Sequence, residues 1–213
     1  MDYLADDIAQ ELRYKDAPPP TWTADSVSYL HSNMPGVPSY GSDLRLHAAV
    51  AKEVVAGGYF LEFGVDSGRS IRHWAELFPQ ETIWGFDGFT GLYESWNGFE
   101  VGHFARQELP VVPDTVKLVV GRFKDTLPDW TQQHPGHASM IHIDCDTYPA
   151  TKEVFAYIRP YIVSGTIIVF DEYWNHKTWK QDEYLAWQEE NIPYEYIGRV
   201  HGGNYQPVAV RVK

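Results

Sequence analysis

Three groups of carboxylates stand where apolar runs end. Asp87 follows Ile83-Trp84-Gly85-Phe86, Asp144 and Asp146 follow Met140-Ile141-His142-Ile143, and Asp171-Glu172 follows Thr166-Ile167-Ile168-Val169-Phe170. Packing does not explain acids at such positions, and crowded like charges cost stability unless a cation or a shared proton relieves them. The strongest relief is a hard divalent ion. Mg²⁺ takes oxygen ligands and keeps positions open for substrate or water. Taken singly, each acid also fits an unconnected helix cap, and Asp146 could cap a helix starting near Tyr148.

A further acid, Glu62, opens the spacing Glu62-x-Gly64-x-x-x-Gly68, and Asp66, Ser67 and Ser70 lie in and just after the same turn. A dinucleotide fingerprint needs G-x-G-x-x-G, with its pyrophosphate on a helix N-terminus. Carboxylates in the turn would repel a pyrophosphate but suit a ligand carrying a sulfonium and an ammonium. Asp87, ending the next apolar run, can hold both hydroxyls of a ribose. The glycines alone also fit a plain tight turn from strand to helix.

These residues need a frame of strands and helices. Tyr59–Phe63 reads as a buried strand, and Ile71, Trp74, Ala75 and Phe78 recur at helical spacing until Pro79 stops the helix. Further strands are expected at Ile83–Phe86, Val116–Val120, Met140–Ile143 and Thr166–Phe170. Helices are expected from Ser42-Asp43 through Val54 to Gly57-Gly58, over residues 99–109, from Arg122-Phe123 to near Pro128, from Tyr148 to Pro160, and around Gln181–Glu190. Pro35–Gly41 and the aromatic stretch Gly88–Gly98 read as loops, the latter at a strand end where α/β proteins place ligand contacts. A hairpin closes the chain, its turn at His201-Gly202-Gly203-Asn204. Alternating strands and helices predict an α/β, Rossmann-like, mainly parallel sheet of seven strands with an antiparallel strand from the final hairpin. Residues 1–41 read as an N-terminal arm, a lid or a dimer contact, and 42–213 as the domain.

The 213 residues suffice for one domain with a full core. With 17 Lys and Arg against 29 Asp and Glu, the net charge of -12 argues against nucleic acid or an anionic membrane as partner. The single cysteine, Cys145, excludes an internal disulfide and fits a reducing cytoplasm. The acidic N-terminus lacks a signal-peptide layout, and no apolar run approaches the roughly 18 residues of a membrane span. Aromatics at 15% exceed what a minimal core requires, so some are expected to line a pocket or an interface, possible homo-oligomers included.

The pattern Glu62-x-Gly64-x-x-x-Gly68 resembles the glycine motif of class I methyltransferases that use S-adenosylmethionine (SAM), and Leu61–Ser70 resembles motif I of catechol O-methyltransferase. The stretches Gly85–Leu92, Gly121–Pro128, Ile143–Tyr148 and Phe170–Tyr173 resemble, in order and spacing, motifs of the macrocin O-methyltransferase family, which methylates sugar hydroxyls of bacterial natural products. The resemblance spans about Leu46 to Val212. It implies Asp144, Asp171 and Glu172 as Mg²⁺ ligands and Asp146 as general base. It implies a SAM pocket with Glu62, Gly64, Ser67, Gly68 and Ser70 at the methionine end, Asp87 on the ribose, and Arg122 and Phe123 beside the adenine. The acceptor would be a small hydroxylated molecule.

Three features depart from the family. Glu172 stands where an aspartate is usual, Tyr93 stands where a proline is common, and the N-terminal region is unlike the family's. Two other readings compete. An apolar strand ending in D-x-D is also the signature of metal-dependent glycosyltransferases, which leaves the glycine motif and terminal hairpin unexplained. A methyltransferase-like binding module would be expected to have lost an acid or a glycine, and none is lost.

Overall fold

The structure is a computed structural model and describes residues 21–201 and 206–213. Residues 1–20 of the expected N-terminal arm and residues 202–204 of the expected hairpin turn lie outside the described residues. Six α-helices and eight strands are described: α1 (Thr21–Asn33), β1 (Ser39–Tyr40), α2 (Asp43–Val50), β2 (Tyr59–Phe63), α3 (Arg69–Leu77), β3 (Ile83–Asp87), β4 (Val116–Val120), α4 (Phe123–Gln133), β5 (Ala138–Ile143), α5 (Tyr148–Ile158), β6 (Ile167–Trp174), α6 (Glu183–Glu189), β7 (Tyr194–Val200) and β8 (Gln206–Val212).

The strands form one sheet in the order β1-β7-β8-β6-β5-β2-β3-β4. All neighbours are parallel except β8, which inserts antiparallel between β6 and β7. The chain builds outward from β2 to β3 and β4, then crosses back to place β5 on the other side of β2. The carboxyl ends of β2 and β5 therefore flank a switch point, where doubly wound sheets open a crevice.

Alternation along each strand sends side chains to opposite faces. Leu61, Phe63, Ile141, Ile143 and Phe170 pack with Leu127 and Trp130 of α4 and with Val154, Phe155 and Ile158 of α5. Phe60, Met140 and Val169 pack instead with Leu46 and Val50 of α2 and Ile71 and Trp74 of α3. Glu62 is in register with His142, and both share the α2/α3 face.

The sheet has eight strands rather than seven, because Ser39–Tyr40 pairs with Arg199–Val200; two residues are too short for a period to be read. Helix α2 ends at Val50 and passes into a 3-10 turn over Ala51–Glu53, well short of Gly57-Gly58. No helix forms over 99–109: Gly98, Gly102 and Phe104 take positive φ, and turns replace it. Helix α4 runs through Pro128 to Gln133 because buried Leu127 and Trp130 anchor it on both sides of the proline. Strand β6 continues through Asp171-Glu172 to Trp174. Its pairing with β5 stops at Phe170 and its register with β8 shifts beyond that point, so the acid pair sits where the ladder is irregular. No helix among the described residues is long and apolar enough to cross a membrane.

Candidate active site

The turn after β2 is shaped by its neighbour strand. Gly64 has φ +91, and a Cβ there would fall 1.6 Å from the Asp144 carbonyl oxygen. The end of β2 thus lies against the main chain that carries Asp144. Gly68, at φ +76, is the N-cap of α3. Glu62 is fully buried: Oε1 accepts from Ser70 Oγ at 3.0 Å, and Oε2 accepts from His142 Nδ1 at 2.9 Å. Burial pushes the Glu62 carboxyl up, against the opposing pull of His142.

A cleft of about 240 Å³ opens at the switch point. Of the residues the sequence singled out, Gly64, Asp87, Arg122, Phe123, Asp144, Asp146 and Glu172 line it; Glu62, Ser67, Gly68, Ser70 and Asp171 are not among its lining residues. Asp87 Oδ2 accepts from the backbone amides of Val65 and Asp66 at 2.8 Å, and Oδ1 from that of Phe89 at 2.7 Å. One carboxylate so ties the glycine turn to the loop beyond β3. The Arg122 guanidinium lies 4.0 Å from the Tyr93 ring centroid and bonds Glu153 at 3.3 Å. Tyr93, which departs from the family's common proline, is thus part of the cleft wall as a stacking partner for a cation.

The loop over residues 88–115 is fastened at two points. Arg106 forms a two-pronged ion pair with Asp66, 2.6 Å at its Nη2 contact; although burial opposes it, Arg106 holds that carboxyl below the usual range. Trp96 Nε1 donates to Asp182 at 3.0 Å, and Asn97 Nδ2 donates to His176 and to Thr178, both at 3.0 Å. His176 in turn donates from Nε2 to the Glu172 carbonyl at 3.0 Å, and burial lowers its pKa to about 4.

The acids of β5 and β6 converge. One oxygen each from Asp144, Asp171 and Glu172 lies within 4.8 Å of the others. Burial, followed by repulsion from Asp171, holds the Asp144 and Glu172 carboxyls well above the ordinary range. Glu172 Oε2 is buried with no hydrogen-bond partner among the described residues. Asp146 sits at φ 64, and burial, with Asp171, Asp182, Asp87 and Asp66 around it, raises it to about 7. It does not cap α5; Thr147 does, accepting from the Ala150 amide at 3.4 Å. The Cys145 thiol is buried against Thr151, and burial pushes its pKa well up.

Sequence reasoning missed Glu183. Fully buried in α6, it accepts from the Cys145 amide at 3.3 Å with Oε1 and from the Glu172 amide at 3.2 Å with Oε2. A signal was present: Glu183 shares a helix face with Ala186 and Trp187, and an acid in an apolar stripe needs buried partners. Tyr184 and Trp179 meet edge-on at 4.9 Å and pack with Tyr29, while Trp187 contacts Phe155.

A doubly wound sheet with an inserted antiparallel strand, a cleft at its switch point and acids at its strand ends defines a Rossmann-like methyltransferase fold. Solved structures agree on the fold. The calicheamicin methyltransferase CalS11 is 23% identical, with 99% of this chain and 93% of that chain covered and a TM-score of 0.59. A second CalS11 structure, described as a TDP-rhamnose 3'-O-methyltransferase, gives 24%, 97%, 93% and 0.57. The O-methyltransferase NovP gives 19%, 95%, 87% and 0.56, and an O-methyltransferase from Bacillus cereus in complex with SAH gives 13%, 97%, 97% and 0.53. No curated protein matches the chain. The methyltransferase-domain family matches residues 61–173, more than half of the 213, and the chain belongs to that family.

Proposed function

We propose that the chain transfers a methyl group from SAM to a hydroxyl of a small molecule, a natural-product sugar or related polyol or phenol, with Mg²⁺ held by Asp144, Asp171 and Glu172. Residues 42–213 would form the catalytic domain, with 1–41 as an arm beside it, in the cytoplasm. The observation that carries this reading is the convergence of three carboxylates at the edge of a switch-point cleft, one of them with a buried, unpartnered oxygen. A hard divalent cation answers both the repulsion and the orphaned Glu172 Oε2. The names of the related structures support the class of acceptor: CalS11 is described as acting on TDP-rhamnose.

Roles follow from position. Asp87 offers its remaining lone pairs to the ribose hydroxyls, and Phe123 and Arg122 flank the adenine. Gly64 keeps the turn close, with Ser67 and Gly68 completing it; Glu62 and Ser70 brace it from behind at the methionine end. SAM supplies an electrophilic methyl on a sulfonium. When bound, Mg²⁺ supplies Lewis-acid polarisation that lowers the pKa of a hydroxyl and fixes its direction. Asp146 takes the acceptor's proton at a carboxylate oxygen; with its pKa near 7 it is suited to that transfer near neutrality. In-line displacement then needs the hydroxyl oxygen held about 3 Å from the methyl carbon.

The glycosyltransferase alternative leaves the glycine turn and inserted strand unexplained and runs against the family membership. A pure binding module leaves the intact acid set without a purpose. The deciding experiment measures S-adenosylhomocysteine released from SAM with a panel of sugar and phenol acceptors, with and without EDTA. Turnover that needs an acceptor and stops in EDTA is expected; turnover undiminished in EDTA would sink the metal assignment.

A further inference from the structure

On the α2/α3 face of the sheet, next to the acid triad, lies a second set of ligand-type side chains that shares only Asp171 with the methyl-transfer site. His47 from α2 and His142 from β5 are fully buried, their ring centroids 5.1 Å apart. Asp171 Oδ1 stands 3.8 Å from His142 Nε2. One ligand atom each from His47, His142 and Asp171 lies within 4.8 Å of the others. Neither ring nitrogen of His47, nor His142 Nε2, has a hydrogen-bond partner among the described residues. Buried side-chain nitrogens are nearly always paired, so three unpaired ones beside a carboxylate require an explanation.

The surroundings of the two rings indicate which explanation fits. Glu62 accepts the Nδ1 proton of His142 at 2.9 Å, and Ser70 holds the other Glu62 oxygen. This is the arrangement around a metal-binding histidine, in which one nitrogen donates to a carboxylate and the other is aimed forward. His47 is stacked on Trp74 at 4.2 Å and 22°, which fixes its plane. Burial lowers its pKa to about 2, so the ring is neutral and one of its two nitrogens keeps a free lone pair. Two imidazoles and one carboxylate suit Zn²⁺ or another borderline transition ion, whereas Mg²⁺ prefers an all-oxygen set.

We propose that His47, His142 and Asp171 form a binding site for a divalent transition-metal ion of the Zn²⁺ type, separate from the all-oxygen set and joined to it through the two oxygens of Asp171. At a bond length of about 2.1 Å, tetrahedral ligands stand about 3.4 Å apart, so the set closes around an ion with shifts of about 1 Å. Such an ion would satisfy one nitrogen of each ring and fix the orientation of Asp171. The proposal concerns metal binding alone and goes beyond the methyl-transfer reading, so either can fail without the other.

The test uses the full chain with no affinity tag, stripped with a chelator and then dialysed against Zn²⁺ or Co²⁺ in excess Mg²⁺. One Zn²⁺ per chain should be retained, and Co²⁺ should give visible bands of a nitrogen-ligated, four- or five-coordinate ion. His47→Phe, which keeps the ring stack on Trp74, and His142→Gln should each weaken Zn²⁺ binding ~100-fold or more, beyond the cost of losing an outer partner. Asp144→Asn should leave Zn²⁺ bound. If either histidine variant fails to fold, X-ray absorption at the zinc edge of the wild type decides, with two imidazole scatterers expected. No retained Zn²⁺, an oxygen-only shell, or binding that follows Asp144→Asn but ignores His47→Phe would overturn the proposal.

Discussion

Glu183 Oε2 accepts the backbone amide of Glu172 at 3.2 Å, while its other oxygen accepts that of Cys145 at 3.3 Å. One buried acid from α6 therefore joins the two segments that carry the converging carboxylates. Glu183→Ala leaves two buried amides unpaired, each costing about 1–3 kcal/mol. Thermal unfolding should show that loss, and activity in the surviving fold should need more Mg²⁺. An unchanged Mg²⁺ requirement would mean that α6 does not hold the site in register.

Asp87 serves its own backbone as well as any ligand, since it accepts from Val65, Asp66 and Phe89. Asp87→Ala should lower stability and weaken S-adenosylhomocysteine binding by about 1.5–3 kcal/mol, the scale of a hydrogen bond to a charged group. Calorimetry on the folded variant checks this. Wild-type affinity there would remove Asp87 from the ribose.

Neutralising the acids should separate two phenotypes. Asp144→Asn and Asp171→Asn should raise the Mg²⁺ needed for activity and leave SAM affinity little changed. Asp146→Asn should keep a near-wild-type Mg²⁺ requirement and lower turnover roughly 10²–10⁴-fold, as for a lost general base. Glu172→Gln should give a milder metal defect than Asp171→Asn. Mg²⁺ titrations of activity across the four variants decide; rescue of Asp146→Asn by high Mg²⁺ would contradict the division.

The raised carboxyls fix a sign for stability against pH. Asp146 is lifted to about 7, Asp144, Glu172 and Glu183 are well above the ordinary range, and His142, despite burial, is held well above 6.5 by Asp171 and Glu62. His47, lowered to about 2 from 6.5, has the opposite sign, but its contribution is complete above 6.5. Above about pH 6.5 the metal-free native state therefore binds more protons than the unfolded chain, and its stability falls as pH rises. Scanning calorimetry should show that fall, and the rise in Tm on adding Mg²⁺ should grow over the same range. A Mg²⁺ effect that shrinks with rising pH would contradict it.

Much of this was legible in the sequence because it rests on local signals. Apolar runs closed by acids located β3, β5 and β6, and the order of strands and helices implied the crevice that gathers Asp87, Asp144 and Glu172. What escaped depends on register across the sheet. Glu62 could not be known to face His142 and Ser70 rather than the cleft until β2 and β5 were aligned. Gly64 looked like space for a ligand, yet its missing Cβ also makes room for the Asp144 carbonyl. The ties of Arg106 to Asp66 and of Asn97 to His176 span long sequence separations and leave no periodic trace.

The insertion of β8 between β6 and β7 has a consequence for the order of synthesis. Strand β6 is made well before the neighbour that covers its outer edge, so a growing chain carries Asp171 and Glu172 on a strand paired on one side only. A polypeptide cut between β7 and β8 would keep every acid of the cleft but lack the strand against which β6 is aligned. Supplying residues 206–213 as a separate peptide should then restore the sheet by strand addition, making the protein a natural candidate for a split reporter.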